Sequence, residues 1–100
     1  MQFTFYGHSC FSVDLNGTKI LFDPFISPNP KAGVIDIDTI EADYVLITHG
    51  HEDHVADAEA ILKRTGATLI SNYEIVCWFA DKGIENGHPL NHGGAVQLPF

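Results

Sequence analysis

Tyr44-Val45-Leu46-Ile47-Thr48 runs directly into His49-Gly50-His51-Glu52-Asp53-His54, and the fold is decided by how this stretch is read. The first four residues form a continuous apolar run of strand length, as expected for a strand covered on both faces. The six that follow hold three histidines and a carboxylate spaced as metal ligands. While the backbone stays extended, His49 and His51 project to the same side, because strand side chains alternate with a period of two. They can therefore grip one ion. Asp53 and His54 follow as the chain turns towards a helix, where they can reach a second ion beside the first. Imidazole and carboxylate suit Zn²⁺ best, and Mn²⁺ or Fe²⁺ as well. The position agrees with the chemistry, since open α/β sheets bind ligands at the carboxyl ends of their strands. A polar surface loop is the alternative, but three histidines and Asp53 in six residues are too dense a cluster for it.

Downstream, Ala56, Ala60 and Ile61, with the charged Asp57, Glu59, Lys63 and Arg64, predict one amphipathic helix closed by Gly66. Acids at its start and bases at its end suit the helix dipole. Ala67-Thr68-Leu69-Ile70 reads as a second buried strand. Residues 73–82 read as a helix with Ile75, Val76, Phe79 and Ala80 on one face, ending before Gly83. His88-Pro89 reads as surface loop, and His92 sits in a glycine-rich turn; neither joins the ligand set.

Upstream, residues 3–6 and 10–15 are β-prone, and Asn16-Gly17 followed by Lys19-Ile20-Leu21-Phe22 predicts a hairpin with a type I′ turn. Asp23-Pro24 ends that run. Pro24, Pro28 and Pro30, with Asn29 and Gly33, predict a loop without a regular element, because proline removes a donor and restricts its predecessor. The whole pattern is α/β with a mixed sheet.

The 100 residues are 45% hydrophobic and 18% charged, enough apolar material for one core and too little for two domains. A formal charge of −8 provides no basic surface for a phosphate backbone, so nucleic acid is disfavoured as a partner. Bound divalent cations would still make a local site attractive to an anion. The N-terminal residues do not resemble a signal peptide, and no run approaches the roughly 18 apolar residues that span a bilayer. The expectation is a cytoplasmic protein with no membrane contact. Cys10 and Cys77 form no C-x-x-C pair and are expected to be reduced, buried thiols; Cys10 and Phe11 are assigned to the core.

His49-x-His51-x-Asp53-His54 resembles the H-x-H-x-D-H signature of the metallo-β-lactamase superfamily. Gly7-His8-Ser9-Cys10-Phe11, Ile20-Leu21-Phe22-Asp23-Pro24 and Asn91-His92-Gly93-Gly94 are similar to the branch of small metal-dependent hydrolases related to ascorbate-6-phosphate lactonase. The resemblance implies an αββα sandwich with one or two metals between the sheet edges. His49 and His51 would hold the first ion, and Asp53 and His54 the second, with Glu52 uninvolved. Asp23 looks like the buried carboxylate that supports the metal loop from behind; capping the Asp-Pro turn is its other reading. His8 resembles a histidine that approaches the site from the N-terminal strands, with a structural hydrogen bond as its alternative. The family's remaining ligands, two histidines and a bridging aspartate, would lie beyond Phe100. Residues 1–100 are therefore expected to form a single incomplete domain, the N-terminal half of the sandwich, completed by a C-terminal segment or an oligomeric partner.

The implied function is a hydrolase that uses a metal-activated water on a small-molecule ester, lactone or phosphoester, with Asp53 as ligand and catalytic residue. A nuclease of the same fold is one alternative. A non-catalytic metal-binding half, active only when complemented, is the other.

Overall fold

The computed structural model describes residues 1–32 and 34–100, so the loop reading at Gly33 lies outside the described residues. The chain opens with three antiparallel strands, β1 (Gln2–Gly7), β2 (Cys10–Leu15) and β3 (Thr18–Phe22). The β2–β3 turn has positive φ at both Asn16 and Gly17, the type I′ geometry that matches strand twist. Asp14 steadies it by accepting from the Gly17 N–H at 2.8 Å.

Beyond β3 the sheet becomes parallel, adding β4 (Tyr44–Leu46), β5 (Thr68–Ser71) and β6 (Gly87–Pro89) in sequential order. Helices α1 (Glu52–Val55) and α2 (Ala58–Thr65) connect β4 to β5, and α3 (Tyr73–Ala80) connects β5 to β6. Parallel crossovers are right-handed, so strands added in sequence put all their helices on the same side. Leu21, Val45 and Leu69 point to that side and are fully buried with Ile61, Leu62 and Phe79. The other face carries two cross-strand rows set by the pairing register. One runs Phe3, Val13, Ile20, Tyr44; the other runs Phe5, Phe11, Phe22, Leu46, Ile70. Phe3 and Phe5 are 59% and 61% exposed, so the apolar row is open at that end.

Several expectations change. The single helix after the histidines is two, because Asp57 leaves helical geometry at φ −101°, ψ 2°. Its carboxylate accepts from the N–H groups of Ile26 (2.6 Å) and Ser27 (2.9 Å) and from the Ser27 hydroxyl, and its own N–H donates to the Pro24 carbonyl. Restarting at Ala58 shifts the helical phase, so Ala58, Ile61 and Leu62 are buried while Ala60 is exposed. Asp57, read as a solvent-facing charge, is buried. On α3, Ile75, Val76 and Phe79 pack on the core, but Ala80 is exposed.

The Pro30–Ala32 segment forms a 3₁₀ turn within the predicted loop, since Pro30 presets φ and the Asn29 side chain accepts from Lys31 N. A second 3₁₀ turn spans Ile37–Thr39. His88 and Pro89 are exposed as expected but pair with β5 as a short edge strand, where a proline is tolerated. Phe11 is half-buried on the second face, stacked on Phe22 at 4.4 Å, because it alternates with Cys10 across the sheet. Cys10 is fully buried, whereas Cys77 is half-buried. Among the described residues, no helix is long and apolar enough to cross a membrane.

Candidate metal centre

At the carboxyl end of β4 the chain leaves the sheet through Ile47, whose N–H still bonds to the Ile70 carbonyl at 3.1 Å. Thr48, His49 and Gly50 follow, and His51 stays extended (φ −65°, ψ 148°) as the residue before α1. Asp53 and His54 therefore sit within a single helical turn, not on a continuing strand. This brings the rings together. His49 lies 4.7 Å from His51 and 4.0 Å from His54, centroid to centroid.

Asp23 lies beneath them. It leaves β3 at φ +46°, held by a bond from its own N–H to the Leu46 carbonyl. Its carboxylate accepts three hydrogen bonds: Thr48 N–H at 2.8 Å, Thr48 Oγ at 2.8 Å and His54 Nδ1 at 3.0 Å. A buried acid is thus satisfied by three donors. Because a carboxylate only accepts, His54 must carry its proton on Nδ1, which leaves the Nε2 lone pair directed away from Asp23.

His8 arrives from the β1–β2 turn. Gly7 (φ +111°) and His8 (φ +51°) are both left-handed, and a Cβ on residue 7 would stand 2.9 Å from the Asn29 side chain, so this corner requires glycine. His8 Nε2 meets Asp53 Oδ2 at 3.0 Å, and Asp53 Oδ1 lies 3.7 Å from His54 Nε2. Ligand atoms of His8, Asp53 and His54 fall within 4.8 Å of one another. Partial desolvation works to raise the Asp53 carboxyl, but the hydrogen bond from His8 and the charges of His54 and His8 outweigh it and leave it below its ordinary value.

The structure thus gathers His49, His51, Asp53 and His54 at one strand end, with Asp23 and His8 touching members of that set. Imidazoles, of which His54 has its Nε2 lone pair free, and a carboxylate held below its ordinary value suit a divalent ion of borderline softness, and the ligand atoms that lie close enough to share one are those of His8, Asp53 and His54. Glu52 faces the other way, into a groove lined by Val55, Ile75, Trp78 and Glu74. His88 stands apart on β6. His92 lines a cavity of about 270 Å³ with Phe22, Leu46, Thr48 and Asn91, beside the histidine loop. Sequence reasoning missed Thr48 and Asp57. Neither belongs to a ligand pattern; each shows its role only once Asp23 and Ser27, 25 and 30 residues away, are folded against it.

A family model described as the metallo-beta-lactamase superfamily matches residues 3–94. A metal-dependent hydrolase of Flavobacterium johnsoniae is 50% identical over 100 residues, covering all of this chain and 44% of its own length. A metal-dependent hydrolase of Methylacidiphilum infernorum is 47% identical with the same coverage. Among solved structures, Igni18, a metallo hydrolase of the hyperthermophilic archaeon Ignicoccus hospitalis, superposes with a TM-score of 0.86 at 39% identity, over 96% of this chain and 42% of Igni18. The chain spans less than half the length of the relatives it matches.

Proposed function

Because the chain belongs to the metallo-β-lactamase superfamily, we propose that it forms the metal-binding part of a hydrolase in which His49, His51, Asp53 and His54 hold one or two divalent ions, zinc above all and manganese or iron as substitutes. The observation that carries this reading is the clustering of the His49, His51 and His54 rings at one strand end, with Asp53 beside His54 and the buried Asp23 fixing the lone pair of His54. Held by these residues, a divalent ion would supply Lewis acidity, lowering the pKa of a water molecule towards neutrality and polarising a carbonyl or phosphoryl oxygen. The chain's own residues orient and neutralise: Asp23 holds His54, and His8 holds Asp53 with its second oxygen turned towards His54.

The substrate is a small ester, lactone or phosphoester. The formal charge of −8 supports a small molecule over nucleic acid. Four ligands are too few for two catalytic ions, which need about three protein ligands each, some of them shared. Together with the greater length of the relatives, this supports a C-terminal segment that brings the rest of the site.

In the complete protein, changing both His49 and His51 to alanine is expected to remove at least one equivalent of metal and abolish hydrolysis. Unchanged metal content by elemental analysis would refute the assignment. Asp53→Asn is expected to cost far more activity than Glu52→Gln, and the reverse order would refute the register.

A further inference from the structure

We infer that Thr48 is a positioning residue that sets the ring tautomer of His49, so that one buried carboxylate, Asp23, orients two histidines of the centre at once. This rests on the reading of His49 as a ligand. Thr48 Oγ lies 2.8 Å from Asp23 Oδ2 and 2.9 Å from His49 Nδ1. A hydroxyl has one proton to donate. Asp23 Oδ2 also receives His54 Nδ1, and Asp23 Oδ1 receives the Thr48 N–H, so this carboxylate acts as acceptor throughout. If the Thr48 hydroxyl turned its proton to His49, two oxygen lone pairs would face each other at 2.8 Å with nothing between them. The proton therefore lies on the Asp23 side, and the hydroxyl lone pair is left to accept from His49 Nδ1–H.

His49 then carries its proton on Nδ1 and offers Nε2, as His54 does. A neutral histidine in water favours the opposite tautomer, so without Thr48 the ring would more often present a protonated Nε2, which cannot bind a cation. The β-branch of threonine restricts χ1 and keeps the hydroxyl in line between its two partners. The backbone bond from Thr48 N–H to Asp23 does not depend on the side chain, so removing the hydroxyl breaks the relay and leaves the loop anchored.

The test uses the complete protein, ¹⁵N-labelled and stripped of metal, with long-range ¹H–¹⁵N spectra at pH 8 that report which ring nitrogen bears the proton. His49 and His54 are both expected as Nδ1–H. Thr48→Val should move His49 towards Nε2–H and leave His54 unchanged, whereas Thr48→Ser should keep both. Zinc affinity, read by competition with a chromophoric chelator, should fall about 10- to 100-fold in Thr48→Val and stay within a few-fold in Thr48→Ser. An Nε2–H tautomer at His49 in the unmutated protein overturns the inference, as does a Thr48→Val variant with an unmoved His49. If the valine variant does not fold, the unmutated and serine proteins decide alone. A tautomer shift with unchanged zinc affinity supports the relay and instead overturns the reading of His49 as a ligand.

Discussion

Asp23 accepts from Thr48 N, Thr48 Oγ and His54 Nδ1, three bonds that an amide of the same size cannot accept together. Asp23→Asn keeps one acceptor oxygen and turns the other position into a donor, which then faces another donor. The expected outcome is a loss of metal affinity of about tenfold or more and a destabilisation of about 1–3 kcal/mol, measured by metal titration and denaturant unfolding. Cys10 belongs to the same neighbourhood. Burial pushes its thiol up to about 11, with smaller upward contributions from the Asp57 and Asp23 carboxylates opposed by a hydrogen bond from the Phe25 backbone. The folded state therefore holds this proton more tightly than the unfolded chain, whose value is 9.0. Stability is expected to fall as pH rises from about 9 towards 11, with the contribution fully present below that window. At pH 8 Cys10 should resist alkylation while Cys77 reacts first; equal labelling by mass spectrometry would contradict the burial. The clustering of His49, His51, Asp53 and His54 at one strand end was legible because all four lie within six residues. Thr48 and Asp57 were not, since a hydroxyl or a carboxylate takes its role from whatever folds against it.

Elements follow the same division between local and distant causes. The β2–β3 hairpin was readable because Asn16-Gly17 favours the positive φ values that a two-residue turn needs. The closure of α2 was readable for a similar reason, as Gly66 adopts φ +70° and its N–H returns to the Leu62 carbonyl at 3.0 Å. A Cβ there would meet nothing within 4 Å, so Gly66→Ala tests backbone conformation without a clash. It is expected to cost about 1 kcal/mol, seen as a lower denaturation midpoint with an unchanged slope. The break between α1 and α2 was not readable, because the helical pattern continues through Ala56 and Asp57. What ends α1 is competition: the Asp57 carboxylate satisfies two backbone donors in the 26–27 loop, and that tie is tertiary. β6 was missed for a related reason. Three residues containing a proline carry no strand signal, and their pairing depends on Gly87 lacking a side chain where a Cβ would stand 2.8 Å from Val76.

At the scale of the sheet, helices α1, α2 and α3 lie on one face among the described residues, and the opposite face is apolar from Phe5 through Phe11, Phe22 and Leu46 to Ile70. The sequence showed those residues as apolar runs, which is why 44–47 looked like a strand covered on both sides. Residues 1–100 produced alone are expected to self-associate, as judged by light scattering, and to bind zinc weakly. Phe3→Ser with Phe5→Ser should reduce the association without changing the helical content, since both side chains are mostly exposed already. A stable monomer with two tightly held ions and turnover would contradict the expectation.

The two margins of the sheet are unlike. β6 is three residues long and ends in Pro89, which has no N–H to donate, so it offers a poor template for another strand. β1 is six residues long with two exposed phenylalanines, and among the described residues no strand pairs with it on its outer side. Templated growth of the sheet by a second molecule would therefore be one-ended. It would start at β1 and pair two copies through that margin, and the first copy added would leave only blunt margins at either end.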